Sequence, residues 1–257
     1  MRLGKLSVLY AVMVNELRII SREPGGLVLL IIMPYFIAGG MAFIASFFSR
    51  VTDLIFIREF LGFEVLILSL IMVQTGARFL AEERNGGRLE YLLMTSTGMY
   101  VVLLGTSLTM VIVDIGAFTI ASLPVLYLSY GLISMERLIL ALLLLFIGLM
   151  PLYGIGLIIA GLVMRFNDAD SVMNIVTPIL TILSGTTYPT YVLPLWIKYL
   201  VYVLPMYMTF YSMYMEILGK ENLALVISMV LAVIIYLLLG VTSYASLERD
   251  LRRKGIQ

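Results

Sequence analysis

The chain has 257 residues, 61% hydrophobic and only 13% charged, with a formal net charge of +1. Soluble domains run near half apolar and a quarter charged, so this excess is too large for one buried core, and the near-neutral balance gives no electrostatic footprint for nucleic acid. With no Cys and no His, thiol chemistry, the usual zinc sites, His-ligated haem and a His general base are excluded.

Residues 6–20 carry a helical stripe of Leu6, Leu9, Tyr10, Met13, Leu17 and Ile20, with Lys5, Glu16 and Arg18 off it. An amphipathic helix on the membrane surface is expected. No cleavable leader is expected, because the first long apolar run starts near Leu27 behind this charged segment and is long enough to stay in the bilayer. A crossing needs about 20 apolar residues. Six runs meet or approach that length: 27–48, 60–80 (with Glu64 and Arg78 near its ends), 101–128 (broken by Asp114), 138–164 (with Gly148, Pro151, Gly154, Gly156 and Gly161), 172–188 and 223–244. Helices are expected throughout, since each backbone group must be paired within its own segment, and no alternating ten-residue strands of a barrel are present.

The segment 189–220 is apolar but interrupted by Pro189, Pro194 and Pro205, and it holds the only Trp, Trp196, with many tyrosines. Trp and Tyr favour the headgroup zone. Short helices lying at or dipping into one membrane face are expected, a kinked seventh span being the alternative. Lys and Arg fall unevenly. Twelve lie on one side (Arg2, Lys5, Arg18, Arg22, Arg78, Arg84, Arg88, Arg165, Arg249, Arg252, Arg253, Lys254) and five on the other (Arg50, Arg58, Arg137, Lys198, Lys220). The richer side is expected in the cytoplasm of a plasma membrane, with both termini there and 245–257 as a cytoplasmic tail. No internal repeat and no soluble domain is visible, so 1–257 reads as one all-α integral membrane domain.

No P-loop pattern is present, and Gly219-Lys220 lacks the upstream Gly, so ATP hydrolysis through such a loop is not expected of this chain. Glu82-Glu83 and Asp168 with Asp170 read as loop charges and caps, Asp168 near the start of the fifth helix. The loop 81–99 is the informative one. Glu82, Glu83 and Arg84 leave the second span, Asn85-Gly86-Gly87 is a turn, and Arg88–Leu93 is a short amphipathic helix suited to docking in a partner's groove or to lying on the membrane.

Four stretches carry a family resemblance: Arg22-Glu23-Pro24 before the first span; the acidic, Gly-containing loop 82–90 ending in Leu89-Glu90; Gly154, Gly156 and Gly161 followed by Asn174 and Pro178; and Ser184-Gly185, Pro189, Pro194, Trp196 and Pro205. In order and sidedness the chain resembles the permease subunit of ABC-2 type ABC transporters, over nearly its whole length, although Gly87-Arg88-Leu89-Glu90 stands where family loops often have Gly-Thr-Leu-Glu. The resemblance implies a non-enzymatic exporter subunit that pairs with a second permease chain, identical or related. ATP would be bound by separate ATPase subunits, with no cofactor in this chain. It implies that Glu82, Glu83, Gly87, Leu89, Glu90, Leu92 and Leu93 contact the ATPase. The bistable element such coupling needs is expected at the fourth-span glycines and at breaks at Pro124 and Pro151, the glycines otherwise serving close helix packing. Asp114, Asn174, Thr177 and Glu64 are candidates for the substrate path, with Gln74 lining it or bonding between helices and Arg78 snorkelling to the inner face. A stand-alone secondary transporter or channel using Asp114 and Glu64 is the alternative.

Overall fold

The computed structural model describes residues 5–46, 52–94, 98–130, 135–166, 168–220 and 223–254. Residues 47–48 of the first apolar run, 95–97 of the loop before Met99, 255–257 of the tail, Arg2 and Arg50 lie outside the described residues, as does the side chain of Leu93. Among the described residues the elements are α1 (Lys5–Arg22), α2 (Gly25–Ser46), α3 (Thr52–Asn85), α4 (Leu89–Met94), α5 (Met99–Tyr130), α6 (Met135–Phe166), α7 (Ala169–Leu183), a 3₁₀ turn (Thr190–Val192), α8 (Leu195–Val203), α9 (Pro205–Ile217) and α10 (Leu223–Lys254), with no strand.

Three helices are long and apolar enough to cross a membrane: Met99–Leu128, Glu136–Phe166 and Leu223–Arg249. The pair α1 and α2, bent by 72°, makes a fourth if counted as one span. The bend falls at Pro24. Its ring cannot supply an N–H to extend α1, and its carbonyl accepts the first bond of α2 from Val28 N–H at 3.0 Å. Leu6, Tyr10 and Leu17 of α1 are exposed, while Val12 packs against Gly105 of α5. Glu16, set off the apolar stripe by the sequence, is half-buried and lines a pocket with Thr75, Arg78 and Glu82 of α3.

The helix at the centre is α6, which packs against α3, α5, α7, α9 and α10. Its small residues set those approaches. A Cβ on Gly148 would meet Thr209 Oγ1 at 2.2 Å, one on Gly154 would meet Tyr236 O at 2.1 Å, one on Gly156 would meet Val73 O at 2.9 Å, and one on Gly161 would meet Leu247 Cδ1 at 2.5 Å. The glycine row therefore serves close packing on three neighbours. The expected breaks at Pro124 and Pro151 are corrected: both prolines lie inside unbroken helices. A proline removes one helical bond, and packing neighbours hold the rest of the helix together.

The fifth apolar run is helical only to Leu183; residues 184–189 are irregular. Ser184, Gly185 and Thr186 are nonetheless buried, where irregular backbone is tolerated only inside protein or against a cavity. Gly185 takes φ +64, and Thr186 O sits where a Cβ of Gly62 would be, 2.2 Å from it. Arg58 ties this segment to α3: its Nη2 donates to Tyr188 O at 2.9 Å, its Nη1 donates to Glu59 Oε1 at 2.6 Å, and its guanidinium lies 5.6 Å from the Phe210 ring. Beyond it, α8 and α9 follow one another with a break at Leu204, whose backbone is extended. Tyr236 of α10 donates to Val203 O at 3.2 Å beside that break. From there α9 runs along the first half of α6, from Thr209 against Gly148 to Gly219 against Arg137. With 13 residues, α9 reaches roughly 20 Å and is too short to cross a membrane by itself.

Candidate functional site

The end of α3 is shaped by two main-chain bonds. Gly87 N–H donates to Arg84 O at 2.9 Å and Arg88 N–H to Glu83 O at 2.8 Å. This is the paired pattern of a helix ending on a left-handed residue, and Gly87 supplies it at φ +67. Arg88 then turns back: Nε donates to Glu83 Oε2 at 2.9 Å and Nη2 to Glu83 Oε1 at 3.1 Å. The same carboxylate raises the Arg88 pKa, first through the hydrogen bond and then through its charge. The turn is thus closed by main chain and side chain together, and it fixes the direction in which α4 leaves.

The helix α4 is one-sided. Leu89 is 5% exposed and joins the core, and Leu92 packs half-buried behind it. Glu90 is exposed, as are Tyr91 (74%) and Met94 (83%). Of the residues expected to meet a partner, Glu82 and Glu90 face outward and Glu83 is engaged with Arg88. Leu89 faces inward, because α4 needs an anchor to lie against the bundle. Tyr91 and Met94, overlooked in the sequence, form the outward knob. A depression of about 280 Å³ lined by Arg84, Gly87, Leu89 and Glu90 adjoins it. Across a second cleft, Arg84 and Asn85 face Asp168 and Asp170 at the start of α7. Asp168 caps that helix, accepting from Ser171 N–H at 3.0 Å and from the Ser171 hydroxyl, and these bonds lower its pKa.

A larger cleft, about 560 Å³, opens between the last turns of α3 and the first half of α7. Gln74, Arg78, Glu82, Asp170, Asn174 and Thr177 are among its lining. Gln74, 8% exposed, joins the two helices: its Nε2 donates to Thr177 Oγ1 at 2.9 Å, and its Oε1 accepts from Arg78 Nη2 at 2.7 Å. Two of the four path candidates, Asn174 and Thr177, therefore share one cleft, and Gln74 both lines it and bonds across it. Asp114 (1% exposed, on α5) and Glu64 (2%, on α3) do not line it. Asp114 Oδ2 and both Glu64 carboxylate oxygens are buried without a hydrogen-bond partner among the described residues.

A family model described as ABC-2 type transporter matches residues 7–218, from α1 through the end of α9. The chain belongs to the ABC-2 type transporter family. No curated protein matches it. ABC-2 membrane domains are the permease components of ABC transporters and not their catalytic parts. In this ABC-2 permease the sequence signals for the turn, Asn85-Gly86-Gly87, and for the α7 cap, Asp168, sit on the side chains and backbone that form them. Arg78 and Arg58 gave no signal beyond their charge: one enters the cleft, and the other ties Tyr188 to α3 across 130 residues of sequence.

Proposed function

We propose that this ABC-2 permease is the membrane half of an ATP-driven exporter, with six crossings, cytoplasmic termini and a plasma-membrane location. The helices α2, α3 and α7 join the three long apolar helices as spans. The shortness of α7 is offset by the buried segment that continues it. Two permease chains pair, and two separate ATPase subunits dock beneath them.

The observation that carries this reading is the braced turn at Gly87 with the outward knob of α4. Glu90, Tyr91 and Met94 stand on a helix that cannot swing freely, since Leu89 anchors it and Arg88 is held by Glu83. Tyr, Met and exposed charge beside a shallow depression suit a partner's groove. A push on α4 passes into α3, against which it packs. The cleft between α3 and α7 then serves as the inward-facing part of the path, with Asn174, Thr177 and Gln74 along it.

The test is co-purification. Replacing Tyr91 and Met94 with Arg releases the ATPase subunit while the permease still folds. Nucleotide turnover by the purified chain alone, or residues 82–93 labelled from outside the cell, refutes the proposal. A second reading, a stand-alone transporter coupled to ions at Asp114 and Glu64, rests on their orphaned buried oxygens. Transport that persists without any ATPase would favour it.

A further inference from the structure

The cleft between α3 and α7 holds fixed charges of both signs that do not neutralise one another. Arg78 is exposed to it and, among the described residues, makes a single polar contact, with the neutral amide of Gln74. Glu82, one turn further along α3, is exposed and forms no ion pair among the described residues, although i,i+4 placement would allow one with Arg78. Asp170 faces the same space from α7, and so does Asn174, whose amide has no partner among the described residues. Along α3 one helical turn, roughly 6 Å, separates the backbones of Arg78 and Glu82, and the Arg78 guanidinium reaches further from Glu82, back to Gln74. On the side of Arg78 away from Glu82 the Gln74–Thr177 bond crosses the cleft. Met173 and Pro178 line the cleft, and Ile175, Ile179 and Ile182 form an exposed stripe beside it on α7.

Resting on the export reading above, we infer that this cleft binds a single-chain amphiphile with a zwitterionic phospho-amine head. The phosphate meets Arg78 and the amide of Asn174, the ammonium meets Glu82 and Asp170, and the alkyl chain runs along the isoleucine stripe. An ethanolamine or choline phosphate carries both charges on one short linker and presents them to one cleft. A guanidinium left with hydrogen-bonding capacity suits phosphate. A purely anionic or purely cationic head would leave one set of charges unsatisfied beside it, which is the repulsive element that gives selectivity.

The test uses the full-length chain in nanodiscs, without nucleotide, and a diazirine-tagged alkylphosphocholine as photoprobe, with adducts mapped by mass spectrometry. Adducts are expected on residues 173–182 and to be displaced by unlabelled dodecylphosphocholine, but not by dodecyl phosphate or dodecyltrimethylammonium at equal concentration. Arg78→Gln, and separately Glu82→Gln with Asp170→Asn, reduce labelling about tenfold, equivalent to roughly 1.4 kcal/mol each. Arg78→Lys retains most of it, which separates loss of charge from loss of fold. Equal displacement by all three competitors, or labelling unchanged in both charge variants, overturns the inference. Should a variant fail to fold, the competition on the native chain decides alone. Because no ATPase is present, charge-selective labelling in a chain that never recruits an ATPase refutes only the export reading. A chain that recruits its ATPase but labels without charge selectivity refutes only the inference about the ligand. Labelled probe that binds but is not carried outward when ATPase and ATP are added identifies a resident lipid at the site, and one that is carried identifies the exported class; both keep the site.

Discussion

Gly240 of α10 rests directly on Gly154 of α6: a Cβ on Gly240 would lie 2.3 Å from the Gly154 carbonyl oxygen. No side chain separates these two backbones. Gly240→Ala is expected to force the helices apart and to cost about 1–3 kcal/mol. Gly116→Ala is the contrast, since a Cβ there meets nothing within 4 Å. That change is expected to stabilise by about 0.5–1 kcal/mol through helix propensity. Thermal unfolding of the two variants in one detergent checks the pair.

Leu89 and Tyr91 sit two residues apart with opposite fates. Leu89→Ala removes a core anchor and is expected to cost about 2–5 kcal/mol. Tyr91→Ala is expected to leave thermal stability unchanged and to weaken ATPase binding. If Leu89→Ala alone impairs ATPase binding, the outward knob is not the contact.

Burial first, then the carboxylates of Glu82 and Glu83, push the Glu16 pKa above its ordinary value of 4.5. Arg78 lines the same pocket of about 190 Å³, as do Thr75 and Thr106, and among the described residues Glu16 forms no ion pair. A raised carboxyl pKa means that the folded state holds the proton longer. Stability is then greatest below 4.5, falls as pH rises from 4.5 through the raised value, and stays lower above it. Glu16→Gln is expected to raise the melting temperature at pH 7 and to flatten that fall. Unfolding curves between pH 4 and 8 measure it.

Arg58 holds Tyr188 O, so Arg58→Ala is expected to loosen residues 184–189 and to leave Glu59 without its cation. The loss is about 1.5–3 kcal/mol, the worth of a hydrogen bond to a charged group. Hydrogen exchange is expected to rise at 184–190 and to stay unchanged in α10. Adding Glu59→Gln to Arg58→Ala is expected to recover part of the stability, because the stranded acid is gone.

Glu64→Gln and Asp114→Asn replace acids of which both Glu64 carboxylate oxygens and Asp114 Oδ2 are buried without a hydrogen-bond partner among the described residues. Both variants are expected to be as stable as the parent or more so, since an orphaned carboxylate supplies no bond to lose. ATP-driven transport is expected to survive. Its abolition in either variant, with ATPase binding intact, would show that these acids take part in moving the substrate.

Much of this architecture was legible because membranes simplify the code. Long apolar runs gave the long helices, and Asn85-Gly86-Gly87 gave the turn that only a left-handed residue completes. Three features escaped for physical reasons. Glu16 stood off the stripe because a stripe count knows one packed face, whereas Val12 rests on Gly105 of α5 and Glu16 shares a pocket with residues of α3. The helix pair α8 and α9 was marked by Pro194 and Pro205, but proline announces a break without saying which way the chain turns. The charges of the cleft belong to α3 and α7, and nothing local in Arg78 or Asp170 records that the two helices meet there.

The helix α3 is a single piece of 34 residues without a proline, roughly 50 Å from end to end. One extremity is fastened by Glu83 to the turn before α4, and the other, through Arg58 and Gly62, to the wedge of Thr186 and Tyr188. A stiff strut with no joint cannot absorb a displacement along its length. Any tilt imposed at its Glu83 end must appear at its Arg58 end, and it must either drag the wedge along or unseat it.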